Sequence, residues 1–110
     1  MTYTLRFVPE VEDDAVAGYM WYEGKAAGLG RDFLRRLYAC AGDIAERPFL
    51  YPKVHREFRR RLLDRFPFAV YFSVEGSHVV VFGAFHCARD PRAIRGDLGD
   101  RKDRREGGDG

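Results

Sequence analysis

Residues 57–85 read EFRRRLLDRFPFAVYFSVEGSHVVVFGAF, and this stretch decides the fold. Polar and apolar residues alternate in its first part, and apolar residues run together in the rest, as in strands that are first half-buried and then fully buried. Asp64-Arg65 and Glu75-Gly76-Ser77 interrupt the stretch with turn residues. We therefore predict three successive antiparallel strands, Glu57–Leu63, Phe66–Val74 and His78–Phe85.

The residues before this meander predict one strand and two helices. Tyr3–Val8 is rich in strand-forming residues. Apolar residues at three- and four-residue steps then indicate a first helix ending near Ala27 and a second helix at Leu29–Arg47. Residues 49–55 are predicted to be a connecting loop. The order of strand, αα-hairpin and three-stranded antiparallel meander predicts an α+β fold.

The chain length of 110 residues suits a single domain, and 45% of its residues are hydrophobic, which is enough for a packed core. We assign residues 1–95 to this domain. Residues 96–110 mix both charges with glycine and contain almost no apolar side chain. A segment of this composition buries too little surface to order itself. We therefore predict a flexible tail that becomes ordered only against a partner.

The sequence favours no membrane segment, no metal and no cofactor. Its longest apolar runs, Phe66–Phe72 and Val79–Phe85, have the length of strands and are too short to cross a bilayer. The two cysteines cannot form a disulfide framework or a metal cluster. The acidic residues of Glu10–Asp14 lack a histidine or a turn glycine at ligand spacing. Since the N-terminus shows no secretory signal, we expect the protein in the cytoplasm.

A basic stretch precedes and includes the first strand of the meander. From Arg47 to Arg65 there are seven lysines and arginines and two acidic residues. Such an excess is typical of a surface that binds an anionic partner, either nucleic acid or an acidic protein segment, although it also fits a solvated strand face. If helices cover the opposite face, Arg59 and Arg61 line the open face of the sheet. The candidate residues for binding an anionic partner are Lys53, Arg56, Arg59, Arg61 and Arg65.

Several motifs, taken in order, resemble one known family. Trp21-Tyr22-Glu23 followed by Gly28-Leu29-Gly30 is similar to its helical hairpin, and Arg65–Phe72 is similar to its central β-hairpin. His86 with Arg89-Asp90-Pro91 resembles the end of its last strand. The family is the RelE/ParE superfamily, the plasmid-stabilisation type of toxin from bacterial type II toxin–antitoxin systems. The resemblance covers about residues 2–92.

This resemblance implies a protein that inhibits growth until a cognate antitoxin binds it, and we expect the antitoxin to wrap the helical hairpin and the sheet edge. RelE-like members cut messenger RNA in the ribosome, whereas ParE-like members poison DNA gyrase and catalyse nothing. In a ribonuclease of this kind, His86 would be the general acid or base, because its ordinary pKa suits proton transfer at neutral pH. Arg60 and Arg89 would hold the phosphate.

Two positions depart from the ribonuclease pattern. Leu62 and Ala69 stand where RelE-like ribonucleases carry basic residues. We therefore expect a ParE-like action on DNA gyrase without catalysis. Two alternatives stay open: a ribosome-dependent mRNA endonuclease that uses His86, Arg60 and Arg89, and a non-toxic member of the family that only binds protein. In the non-catalytic interpretations, His86 holds the loop that follows the last strand.

Overall fold

The computed structural model describes residues 2–107. Its elements in chain order are β1 (Thr4–Phe7), α1 (Glu10–Glu23), α2 (Leu29–Glu46), a 3-10 turn (Pro48–Leu50), β2 (Lys53–His55), β3 (Phe58–Leu62), β4 (Phe68–Glu75), β5 (His78–His86) and α3 (Pro91–Gly107). The strands form one sheet in the order β1-β5-β4-β3-β2. β1 is parallel to β5, and the other neighbouring strands are antiparallel. The α+β class, the αα-hairpin and the three-stranded meander are therefore confirmed.

The structure contains two elements, β2 and α3, that the sequence does not predict. β2 lies inside residues 49–55, which the sequence predicts to be a loop. It is a three-residue edge strand that pairs with β3, with Lys53 opposite Arg59. So short a strand gives too few residues for a period of two to be visible, and Pro52 beside it reads as a loop signal.

The second missing element is α3, and the prediction of a flexible tail is wrong for residues 96–107. Asp90 starts this helix, because its Oδ1 accepts a hydrogen bond from the Arg92 amide at 2.9 Å. Ile94 and Leu98 lie one turn apart and are buried, and Arg101 is buried in the following turn. These three side chains lie on one face of the helix, so packing against the rest of the chain orders a segment that could not fold alone. The last three residues of the predicted tail, 108–110, lie outside the described residues.

Helices cover both faces of the sheet. Side chains alternate along β4, and Phe68 faces the αα-hairpin, where its ring centre lies 4.8 Å from that of Phe33 and 5.9 Å from that of Tyr22. Tyr71 faces the opposite way and contacts the Phe85 ring at 5.7 Å, on the face to which α3 is docked. This arrangement explains why β4 and β5 are apolar on both sides.

The turn between α1 and α2 is closed by Glu23. Gly28 has a φ of 86°, in the left-handed region that favours glycine. The Glu23 carboxylate accepts hydrogen bonds from the Gly28 amide at 3.0 and 3.1 Å and from the Gly30 amide at 3.0 Å. A Cβ atom on Gly30 would lie 2.7 Å from the Tyr19 carbonyl oxygen, so the two helices approach closely only with glycine there. The carboxylate thus satisfies amides at the start of α2 that have no partner within the helix.

These hydrogen bonds predict a pH dependence of stability. Donation from the Gly28 and Gly30 amides lowers the pKa of Glu23 below its ordinary value. A carboxyl group whose pKa is lowered by folding stabilises the fold above its unfolded pKa, and this contribution is lost as the pH falls through the folded pKa. Glu23→Gln should therefore flatten part of the fall in the free energy of unfolding between about pH 5 and about pH 3.

Urea unfolding at several pH values measures this slope, and Glu46→Gln is the control. Glu46 is an exposed carboxylate at the end of α2, and its side chain accepts no hydrogen bond from residues 2–107. An unchanged slope in Glu23→Gln would show that the carboxylate does not cap α2 in solution.

Candidate functional site

A cavity of about 100 Å³ lies between the sheet and the first half of α3. We call it the arginine cavity, because Arg60 from β3, Arg89 from the loop after β5 and Arg95 from α3 all line it. His55 and Tyr71 contribute polar side chains to the same wall. The remaining lining residues are Val54, Cys87, Pro91, Ile94 and Leu98.

The arginine cavity carries an excess of positive charge. Arg89 pairs with Asp97 at 2.7 Å and lies over the Phe85 ring at 4.9 Å. Among residues 2–107, neither Arg60 nor Arg95 forms an ion pair. Guanidinium groups hold carboxylates and phosphates in two-point contact. Chemically, the cavity is therefore suited to an oxyanion.

The structure brings together two of the three predicted catalytic residues. Arg60 and Arg89 share the arginine cavity, but His86 lies on the other face of the sheet, beside α1. Its ring packs edge-on against Phe68 at 5.3 Å, and its Nδ1 accepts a hydrogen bond from the Ala88 amide at 3.0 Å. His86 thus holds the loop after β5 and lines a separate groove of about 360 Å³ with Trp21.

Sequence reasoning missed three residues of this cavity. His55 stands in the segment predicted to be a loop, where no periodicity indicates which way it faces. Tyr71 appears in the sequence as one more aromatic residue of a buried strand. Arg95 belongs to a helix that the sequence does not predict. None of the three carries a local signal, because only the docking of α3 and the pairing of β2 with β3 bring them to one cavity.

The predicted basic surface is divided in the folded chain. Arg59 donates a hydrogen bond to the Tyr51 carbonyl at 2.7 Å and lies over the Phe49 ring at 5.0 Å. Arg61 pairs with Asp43 of α2 at 3.2 Å. The expectation that both line the open face is wrong, because strand pairing places them opposite Phe72 and Val70, on the face that the αα-hairpin covers.

The other three basic residues are exposed at separate places. Lys53 lies on the edge strand β2. Arg56 and Arg65 occupy turns at the two ends of β3, each with a positive φ, of 52° and 72°. The five candidate residues for binding an anionic partner therefore do not form one continuous patch.

The two positions that depart from the ribonuclease pattern are direct neighbours. Leu62 on β3 pairs with Ala69 on β4. Leu62 is 54% exposed, whereas Ala69 is only 1% exposed and so has no room for a longer side chain without repacking. Both members of the pair are therefore apolar, and only Leu62 contributes to the surface.

Three further observations concern residues 2–107. No three histidine, cysteine or acidic side chains converge there to hold a metal ion. Burial raises the pKa of the Cys40 thiol, which makes it a core residue and a poor nucleophile. None of the helices in this part of the chain is both long and apolar enough to cross a membrane.

The described residues thus form a five-stranded sheet with a helical hairpin on one face and a C-terminal helix on the other. A chain from a solved structure described as "Chromosomal ParDE TA system from P. aeruginosa" shares this fold with a TM-score of 0.70 and 16% sequence identity. The likeness covers 77% of this chain and 96% of that chain. No protein-family model matches the sequence, and no curated protein does. The predicted resemblance is therefore confirmed at the level of the fold.

Proposed function

We propose that this chain is the toxin of a type II toxin–antitoxin module and that it acts on DNA gyrase without catalysing a reaction. The likeness in fold to a chain of a ParDE system supports the first part. The apolar pair of Leu62 and Ala69 supports the second, since RNA cleavage needs positive charge on the phosphoryl oxygens. The position of His86 agrees with this proposal, because it faces away from Arg60 and Arg89.

The partner in this proposal is an antitoxin bound across the helical hairpin and the sheet edge. Large apolar side chains are exposed there on α1, α2 and β1, namely Val16, Met20, Trp21, Tyr38 and Phe7. Phe7 contacts Tyr38, and Tyr38 lines one groove with Val16. Exposed apolar residues that lie close together are typical of a protein-binding surface. Arg59 and Arg61 are engaged within the chain, so recognition here depends more on apolar contact than on those two charges. The cytoplasm is the compartment that this function requires.

A second candidate function is cleavage of messenger RNA in the ribosome. Three arginines and His55 around one cavity favour it, because phosphoryl transfer to a 2′-hydroxyl uses positive charge together with a group that moves a proton. In this version His55 takes the place that the sequence assigns to His86. A third candidate is a protein-binding member of the family that no longer inhibits growth.

The deciding experiment measures gyrase supercoiling and ribosome-dependent translation in parallel with the purified chain. We expect supercoiling to be inhibited and the message to stay intact, with induced expression of the chain alone arresting growth. The arginine-cavity variants are Arg60→Ala and His55→Ala, and His86→Ala is matched to the latter as a histidine outside the cavity. In all three variants, as in the unmodified chain, we expect the message to stay intact.

Two other results of these assays would each support one of the alternative functions. Message that is cut only with ribosomes present, and that is protected in Arg60→Ala and His55→Ala but not in His86→Ala, would establish the ribonuclease and overturn the gyrase proposal. Normal growth on induction, without effect in either assay, would leave only a protein-binding role.

A further inference from the structure

α3 docks onto the domain mainly through charge. Of its residues, Ile94 and Leu98 are the only large apolar side chains that it buries among residues 2–107. Four of its basic side chains pair with carboxylates from three other parts of the chain. These pairs are Arg101–Asp14, Lys102–Glu57, Arg104–Glu10 and Arg105–Glu75.

The pair between Arg101 and Asp14 is largely shielded from solvent, with side chains that are 10% and 11% exposed, and it is hydrogen-bonded on both sides. The guanidinium donates to both Asp14 carboxylate oxygens, at 2.6 and 3.0 Å, and to the Phe82 carbonyl at 3.0 Å. The same carboxylate accepts a hydrogen bond from the Ala84 amide at 3.0 Å. The Phe85 ring covers the guanidinium at 4.9 Å. A satisfied pair in a site of this kind is strong and little screened by salt.

The other three pairs are open to solvent. The side chain of Lys102 is 32% exposed, that of Arg105 39% and that of Arg104 60%. Beyond Arg101, no described residue of α3 is buried. Exposed pairs are weak singly and are screened by salt. The end of α3 is therefore held mainly by ion pairs that weaken at high ionic strength.

The first half of α3 forms one wall of the arginine cavity through Ile94, Arg95 and Leu98. The Arg101–Asp14 pair lies one turn beyond this wall and ties it to α1 and β5. If the pair is broken, only the two buried apolar side chains and the partly exposed Arg89–Asp97 pair hold the wall. Whether a ligand can reach Arg60 and Arg89 thus depends on the Arg101–Asp14 pair, which lies outside the cavity.

We propose that α3 is a strap over the arginine cavity that opens in two stages. Residues 102–107 detach as ionic strength rises. Residues 91–101 stay docked until the latch, which is the Arg101–Asp14 pair, is broken. The proposal does not depend on whether the target is gyrase or messenger RNA.

Hydrogen exchange of the whole chain, measured by mass spectrometry at about 20 mM and about 500 mM NaCl, tests both stages. In the unmodified chain, the amides of residues 103–107 should lose about tenfold in protection at the higher salt, while those of residues 94–101 keep theirs. Arg101→Met should remove protection from residues 94–101 at low salt, while β4 and β5 stay far better protected than α3 and lose only what the fall in global stability accounts for. Arg35→Met is the control, because it breaks only the exposed pair with Asp32 on α2.

Two results would overturn the proposal. Salt-independent protection of residues 103–107 would remove the first stage. A loss of protection in β4 and β5 as complete as that in residues 94–101 of Arg101→Met would make Arg101 a core residue and not a latch. Asp14→Asn repeats the second test from the other side of the pair, and its loss should again be confined to α3.

Discussion

Replacing Phe33 with alanine is expected to lower the free energy of unfolding by about 3–5 kcal/mol, a large part of the stability of a domain of this size. Phe33 of α2 is completely buried, and its ring lies 5.2, 5.5 and 4.8 Å from those of Tyr22, Phe66 and Phe68. It therefore joins both helices of the hairpin to the turn and strand that follow β3. The cavity left by alanine has rigid aromatic walls and cannot collapse fully.

Urea unfolding followed by circular dichroism measures this loss, and Phe49→Ala is the matched control. Phe49 is 60% exposed, so its replacement should cost less than about 1 kcal/mol. Phe33→Leu keeps most of the volume and provides a folded variant if alanine is not tolerated, with a smaller loss in the same direction. Equal losses in Phe33→Ala and Phe49→Ala would show that the aromatic cluster does not hold the hairpin to the sheet.

The meander and the hairpin could be predicted because their signals are local. A run such as Val79–Phe85, bounded by turn residues, fits little other than a buried strand. Gly28 marks a left-handed turn by itself, and the predicted start of the second helix at Leu29 is confirmed. For these elements, the residues that decide the conformation are close neighbours in the chain.

The facing of the arginines could not be predicted, because it depends on register. Side chains alternate along a strand, so Arg59 and Arg61 must lie on the same face of β3. Which face of the sheet this is depends on their pairing with Phe72 and Val70 of β4. A shift of one residue would turn both toward α3. The sequence shows that the two arginines share a face, but it does not show which face of the sheet that is.

The candidate site was only partly predictable for the same reason. Arg60 and Arg89 were identified from their type and position, and they meet in one cavity. His86 was grouped with them because of the family resemblance and because the ordinary pKa of histidine suits proton transfer, yet the alternation of β5 turns it to the opposite face. Arg95 escaped prediction with the whole of α3, whose buried Arg101 finds its carboxylate 87 residues earlier in the chain.

The Arg101–Asp14 pair leads to the second large effect, which is a loss of stability that the two residues share. Asp14→Ala and Arg101→Ala are each expected to lower the free energy of unfolding by about 3 kcal/mol, because either change leaves a buried charge without its partner. If α3 then leaves the sheet, the loss is limited to what its docking contributes. The double variant should therefore lose little more than either single variant, in contrast to the sum of about 6 kcal/mol expected of independent sites.

Urea unfolding of the two single variants and the double variant measures this coupling, with Asp32→Ala and Arg35→Ala as the matched cycle. Those residues form an exposed pair on α2, for which losses and coupling should each stay below about 1 kcal/mol. Additive losses at Asp14 and Arg101 would mean that each side chain stabilises the fold through separate contacts. Full coupling, joined to exchange that is lost only in α3, would assign the stability of the C-terminal helix to this one ion pair.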